Sequence, residues 1–143
     1  MKNEQGRYTV PEFKKIFRLT PQKKAGKQRD YPGELLNQLQ QCKLPLPVRE
    51  FKFHPVRKWR FDLCYEALRL AVEVEGILPH ELGKTRHQTV KGMTGDLEKY
   101  NAATLHGWRL LRFTPKMVEN GQALAVIEKA LLIFSPKKEG NGN

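Results

Sequence analysis

The chain has 143 residues, of which 26 are Lys or Arg and 15 are Asp or Glu, so its formal net charge is +11 at pH 7. This length suits one domain, and the charge favours polyanionic partners such as DNA, RNA or an anionic membrane surface. Cys42 and Cys64 lack metal-ligand spacing and are too few for a disulfide scaffold. Since no window is apolar enough to span a membrane and no signal-peptide core is visible, we expect a reduced, cytoplasmic protein without a membrane partner.

The first 30 residues are predicted to form a basic N-terminal arm. They hold nine Lys or Arg against three acids, and residues 22–29 show no apolar periodicity. Within this arm, Thr9 to Glu12 match a capping box ahead of Phe13, which predicts a short amphipathic helix. The main domain is then expected over residues 31–134, followed by a disordered polar tail over residues 135–143.

Apolar periodicity and turn residues predict the elements of the main domain. In chain order these are a helix over 34–42, a strand near 49–53, strands over 59–65 and 68–76, a long glycine-containing loop over 77–95, a helix over 96–106, a strand over 108–113 and a helix over 121–134. The order αβββαβα indicates a mixed α/β fold in which helices flank a central mixed sheet of about four strands.

Three carboxylates interrupt the apolar runs of the two central strands. Asp62 lies between Phe61 and Leu63, and Glu73 and Glu75 alternate with valines. Because an unpaired buried carboxylate is costly, a cation must compensate it, and a divalent metal is a natural candidate. The competing interpretation is a solvated sheet face on which these acids pair with Arg60 and Arg69.

The pairing register of the two strands decides whether the acids meet. If Glu66 and Ala67 form a two-residue hairpin loop, Asp62 lies opposite Ala71 and diagonally beside Glu73 on the same face, close enough to share a Mg²⁺ ion. A three-residue loop would instead pair Asp62 with Val72 and send Glu73 to the opposite face. Sequence alone leaves both registers open.

The spacing of Asp62, ten further residues and then Glu73-Val74-Glu75 resembles the D…(D/E)xK signature of the PD-(D/E)XK nuclease superfamily. The flanking segments 51–62, 86–87 and 96–113 are similar to those of small phage and prophage endonuclease-like proteins allied to the very-short-patch-repair endonuclease group. The resemblance covers residues 34–131 approximately. It implies a restriction-endonuclease-like core and metal-dependent cleavage of phosphodiester bonds in DNA.

By this resemblance, Asp62 and Glu73 would hold Mg²⁺, or Mn²⁺, with help from the Val74 carbonyl. Glu75 occupies the position where lysine is commonest, so it would bind metal, orient water or leave the cationic role to another residue. The candidates for that role or for acid–base work are Lys99, Arg86 and His87, while Glu34, or its rival Glu50, would support the metal. The expected phosphate contacts are Arg57, Lys58, Arg60, Arg86 and Arg112.

Two functions follow as expectations. The first is a Mg²⁺-dependent DNA endonuclease, phage or prophage encoded, acting in DNA repair, recombination or processing. The second is a non-catalytic DNA- or RNA-binding module on a degenerate nuclease fold, which the glutamate at position 75 and the basic arm favour. A homodimer is compatible with either function. A third interpretation is a scaffold protein whose basic arm recruits acidic partners.

Overall fold

The protein was analysed as a computed structural model that describes residues 29–76 and 86–137, and the backbone alone of residues 86–91. The predicted arm helix and the C-terminal tail beyond residue 137 lie outside the described residues. In chain order the elements are α1 (Tyr31–Gln41), β1 (Val48–Lys52), β2 (Arg60–Tyr65), β3 (Leu70–Val74), α2 (Arg86–Leu105), β4 (Arg109–Phe113), α3 (Pro115–Glu119) and α4 (Gln122–Phe134).

The four strands form one mixed sheet in the order β1-β2-β3-β4. β1 pairs with β2 and β2 with β3 in antiparallel fashion, whereas β3 and β4 are parallel and are joined through α2. The predicted mixed α/β class, with a four-stranded sheet flanked by helices, is therefore confirmed. The short helix α3 is an addition to the predicted order. No helix among residues 29–76 and 86–137 is long and apolar enough to cross a membrane.

Hydrophobic side chains form two clusters on opposite faces of the sheet, since Leu70 and Val72 contribute to one cluster and Ala71 to the other. The larger cluster packs α1 and α4 against the sheet through residues such as Leu35 and Leu124. The smaller one comprises Phe61, Cys64, Ala71, Ala103 and Trp108, and it packs α2 against the other face. This second face carries the acidic residues discussed below.

The first helix begins where the basic arm was expected to end. The Asp30 side chain accepts a hydrogen bond of 3.0 Å from the Gly33 amide and forms an ion pair of 2.8 Å with Arg49 of β1. An acidic N-cap satisfies amides that a helix start leaves unpaired. Arg29 also contacts the body, through Glu34 and Glu119. The last two residues of the predicted arm therefore belong structurally to the folded domain.

The turn between β2 and β3 differs from both predicted registers. Cys64 pairs with Ala71 and Tyr65 with Leu70, so four residues connect the strands rather than two or three. A 3₁₀ turn over Glu66–Leu68 fills this connection, and Arg69 closes it in the left-handed conformation with φ of 50°. Neither of the two loop lengths considered from the sequence occurs, because hairpin length is set by turn geometry, which apolar alternation does not encode.

The predicted loop over residues 77–95 is wrong for residues 86–95, which form the first half of α2. Residues 77–85, the rest of the predicted loop, lie outside the residues that the structure describes. Gly92 and Gly95 suggested a loop, but an interior glycine costs a helix only about 1 kcal/mol relative to alanine. Both glycines are exposed, with no neighbouring atoms within 4 Å of the position of a Cβ. The helix therefore tolerates them without a packing role for either.

Candidate active site

Asp62 lies at an irregular position of β2. In a regular strand Phe61 and Leu63 would share one face and Asp62 would lie on the other, but Phe61 and Leu63 pack in different clusters. The irregularity coincides with Glu50 of β1, whose φ is 52° and whose neighbours pair with Phe61 and Leu63. The Asp62 side chain reaches β3, where its Oδ2 accepts a hydrogen bond of 2.8 Å from the Val74 amide.

The observed register brings Asp62 and Glu73 together. Leu63 pairs with Val72, and the Asp62 carboxylate accepts its hydrogen bond from Val74, the residue after Glu73. The charge of Asp62 also contributes to the raised pKa of Glu73, so the two carboxyl groups lie near each other.

Glu73 is a buried acid paired with a lysine from α2. Its relative exposure is 7%, and Lys99 Nζ donates a hydrogen bond of 2.7 Å to its Oε1. Burial raises the pKa of Glu73 to about 7; the Lys99 hydrogen bond opposes this rise, whereas the charges of Asp62 and Glu75 add to it. Glu73 therefore changes its protonation state near neutral pH.

The pKa of Asp62 is also shifted by burial and by nearby charges. Burial raises its pKa above the usual range, while the Val74 amide and the Lys99 ammonium oppose the rise. The charges of Glu50 and Glu75 push in the same direction as burial. The site thus concentrates carboxylates around one lysine, and an added positive charge would relieve the cost of ionising Asp62 and Glu73.

Glu75 makes contacts of its own at the end of β3. Its Oε1 accepts a hydrogen bond of 2.5 Å from the Tyr100 hydroxyl and one of 2.7 Å from Arg112 Nε. The Arg112 guanidinium also stacks over the Tyr100 ring, 4.1 Å from its centroid. Glu75 is therefore held by α2 and β4, beside Glu73 in sequence but bonded to different partners.

The described residues contain no group of three or more His, Cys, Asp or Glu side chains placed to hold a metal ion. The predicted trio of Asp62, Glu73 and Glu75 accordingly does not form a closed set of ligands. The pair of Asp62 and Glu73 does suit a hard divalent cation, because carboxylate oxygens are the ligands that Mg²⁺ prefers. A cation bound there would take Asp62 and Glu73 as ligands and leave its other coordination positions to water or a phosphate oxygen.

The other predicted site residues are distributed as follows. Glu34 pairs with Arg29 at the start of α1, and neither Asp62 nor Glu73 is among its contacts in the described part of the chain. Glu50, its predicted rival, is close enough to Asp62 to raise the pKa of that acid. Arg86 and His87 lie in the first turn of α2, where the structure describes the backbone alone.

The basic residues expected to contact phosphates occupy two places. Arg57, Lys58 and Arg60 are exposed on the hairpin between β1 and β2, whereas Arg112 lies beside Glu75. The competing interpretation required the acids to pair with Arg60 and Arg69, and they do not. Glu73 pairs with Lys99, and Glu75 pairs with Arg112. Sequence reasoning missed the contact of Tyr100, whose place on the apolar face of a predicted helix indicated only packing.

Comparisons of the chain with models of protein families, with curated proteins and with solved structures found no match in any of the three.

Proposed function

We propose that this protein is a metal-dependent DNA endonuclease built on a restriction-endonuclease-like core. The observation that carries the proposal is the proximity of the Asp62 and Glu73 carboxyl groups, with Lys99 donating to Glu73 across 2.7 Å. Two acids on adjacent strands and an ammonium from α2 are the groups that hydrolysis of a phosphodiester needs. The order of the elements around them supports the nuclease resemblance of the sequence.

Lys99 takes the cationic role that the resemblance assigns to the position of Glu75. Its side chain is 14% exposed and lies at Glu73, so its charge is held within the site rather than in bulk water. A fixed ammonium stabilises negative charge developing on a phosphate more effectively than a mobile one, because it needs no reorganisation. Glu75, bonded to Tyr100 and Arg112, is left to orient these two side chains.

Asp62 and Glu73 would hold the divalent cation. Bound there, that ion would polarise the scissile phosphate and lower the pKa of the attacking water. The hydrogen bond from the Val74 amide fixes Asp62 through Oδ2, and the Lys99 bond fixes Glu73 through Oε1. Each acid therefore keeps a second oxygen that no described residue engages and that can serve as a ligand.

The basic charge supplies affinity for the DNA backbone. With a formal net charge of +11, association should be largely independent of sequence and should weaken steeply as salt rises, because cation release drives it. The exposed Arg57, Lys58 and Arg60 on the β1–β2 hairpin are available for phosphate contacts. Binding and cleavage therefore depend on different residues, which allows them to be separated.

The decisive experiment compares wild type with the Asp62→Asn variant on plasmid, branched and single-stranded DNA, with Mg²⁺ or Mn²⁺ and with chelator. Asparagine can still accept the Val74 hydrogen bond, so the fold should persist while the metal ligand is lost. We expect binding without cleavage. The matched control is Glu66→Gln, which removes an exposed acid from the β2–β3 turn and should leave cleavage unchanged.

Undiminished metal-dependent cleavage by Asp62→Asn would overturn the assignment of the site. If wild type binds DNA but yields no metal-dependent product on any substrate, the non-catalytic binding module is the better description. That alternative rests on Glu75, which stands at the position expected for a catalytic lysine and accepts hydrogen bonds from Tyr100 and Arg112 through Oε1.

A further inference from the structure

An aromatic column runs from the acidic site to the tip of the β1–β2 hairpin. Lys99 Nζ lies 5.9 Å from the centroid of the Phe61 ring, and Phe61 stacks on Phe53 with centroids 4.1 Å apart and planes 5° from parallel. Phe53 in turn lies 6.3 Å from Trp59 at an interplanar angle of 15°. Arg57 completes the column, with its guanidinium 4.2 Å from the Trp59 ring centroid.

The outer end of this column is exposed and basic. The Arg57 side chain is 54% exposed, and its ion pair with Glu98 spans 3.7 Å between two equally exposed groups. Such surface pairs contribute little, so a phosphate can replace Glu98 at small cost. Lys58 and Arg60 follow on the same hairpin, and Lys52 pairs with Arg60 across the two strands; all three are exposed.

We propose that Arg57, supported by Trp59, is a stacking position for an unpaired base of single-stranded DNA. An arginine laid flat on an aromatic ring keeps its planar guanidinium oriented, and nucleobases stack on such planes. The exposed cations beside it suit the phosphates that flank the base. This inference rests on the proposed function only in taking DNA as the partner, and it does not require cleavage.

The geometry favours a single strand over a duplex. In a duplex the base faces are already stacked on one another, so an exposed guanidinium plane can meet phosphates but not base faces. In a single strand each base offers a face, and stacking is tolerant of sequence because every base has one. The column also connects Arg57 to Lys99, so a strand held at the hairpin lies on the side of the sheet that carries Asp62 and Glu73.

The test separates stacking from charge. Binding of a labelled oligothymidine, and of an abasic oligomer of equal length and charge, is measured by fluorescence anisotropy in chelator for wild type and Arg57→Lys. We expect wild type to prefer the oligothymidine by about tenfold, and Arg57→Lys to lose most of that preference while binding the abasic strand normally. Lysine keeps the positive charge but has no plane on which a base can stack.

Arg109→Lys is the matched control. Arg109, in β4, also stacks over a ring, 4.2 Å from the centroid of Phe134, but that ring packs against the larger cluster on the other face of the sheet. The control variant should keep the wild-type preference for oligothymidine. Equal loss in both variants, or a wild-type protein that binds the two oligomers alike, would overturn the inference.

Trp59 offers a second readout. The chain has two tryptophans, and Trp108 is buried, so the Trp108→Phe variant reports on Trp59 alone. Its emission should change on adding oligothymidine and stay constant with the abasic strand; binding of oligothymidine without a change in emission would count against the stacking position. Because all measurements are made in chelator, a protein that never cleaves DNA can still support this inference, and an active nuclease can still refute it.

Discussion

Lys99 and Glu73 form an ion pair of 2.7 Å in which the two side chains are only 14% and 9% exposed. The pair ties the middle of α2 to β3, and Lys99 is the only cation that contacts Glu73 in the described structure. Its charge also opposes the rise in the pKa of Asp62. The two members of the pair are far apart in sequence, so it forms only when the helix packs on the sheet.

Replacing Lys99 with methionine should destabilise the protein in a pH-dependent way. At about pH 8 the variant must bury an unpaired Glu73 carboxylate, and we expect a loss of about 3 kcal/mol in the free energy of unfolding. At about pH 5 Glu73 is protonated, so the loss should be much smaller. Denaturant unfolding at both pH values, in chelator, measures the loss in the free energy of unfolding. Lys99→Arg is the control that keeps the charge, and a loss independent of pH would contradict the explanation.

Glu73 should make its own contribution to the pH dependence of stability. Because burial raises its pKa from 4.5 to about 7, the folded state binds a proton where the unfolded chain has released it. This contribution is fully present below about pH 4.5 and is lost as the pH rises to about 7, with a total on the order of 3 kcal/mol.

The Glu73→Gln variant removes this titration and keeps the shape of the side chain. The free energy of unfolding of wild type relative to Glu73→Gln should therefore fall between about pH 4.5 and about pH 7 and then level off. Unfolding curves collected across this range in metal-free buffer provide the measurement. A difference that rises with pH would mean that Lys99 stabilises the carboxylate more than burial destabilises it.

Added Mg²⁺ should stabilise wild type against thermal unfolding, because a ligand that binds only the folded state raises its stability. The effect should be larger at about pH 8 than at about pH 5, since a protonated Glu73 is a poor ligand. Asp62→Asn should lose the stabilisation at both pH values, whereas Glu66→Gln should retain it. An equal response from Asp62→Asn would show that the ion binds elsewhere.

Placing lysine at position 75 should not increase the proposed cleavage activity, although lysine is the residue that the proposed nuclease family most often has there. The new ammonium would face Arg112 and leave the Tyr100 hydroxyl without its acceptor. We expect Glu75→Lys to lose about 1 to 2 kcal/mol of stability and to gain no cleavage activity. Glu75→Gln, which adds no charge, is the comparison. Higher activity in Glu75→Lys would indicate that Lys99 does not fill the cationic role.

Asp30 should stabilise α1 through its cap. Asp30→Ala removes both the bond to the Gly33 amide and the ion pair with Arg49, and we expect a loss of about 1 kcal/mol at about pH 7. The Arg49 hydrogen bond lowers the pKa of Asp30, so the stabilisation should be fully present above the ordinary value of 3.8 and be lost as the pH falls from there through the lowered pKa. Asp96→Ala, which removes an exposed acid within α2, should leave stability nearly unchanged.

The helices and strands followed from local sequence wherever apolar periodicity was strong. The Leu35 and Leu39 spacing placed α1, and the alternation around Val72 placed β3. Errors arose where the local signal was weak or misleading. Gly92 and Gly95 hid the first half of α2, and the four-residue turn at Arg69 required a left-handed backbone that nothing in the residue types demanded.

For the candidate site, the sequence indicated the unusual acids but not their partners. Asp62 and Glu73 stood out because charge is rare within apolar strands, and Lys99 was among several possible cations. The choice of Lys99 over Arg60 and Arg69 depended on which face of α2 meets the sheet. The roles of Tyr100 and of Glu50 also depended on contacts between elements that are distant along the chain.

By itself, then, the sequence determined the mixed α/β class, the order of most elements, the basic charge and the three central acids. These features depend on composition and on periodicities of a few residues, which are local properties of the chain. Only the tertiary structure decided the register that brings Asp62 near Glu73, the pairing of Lys99 with Glu73 and the column from Phe61 to Arg57. These features depend on turn geometry and on packing between elements that are distant in sequence. Their contacts form only when folding brings those elements together.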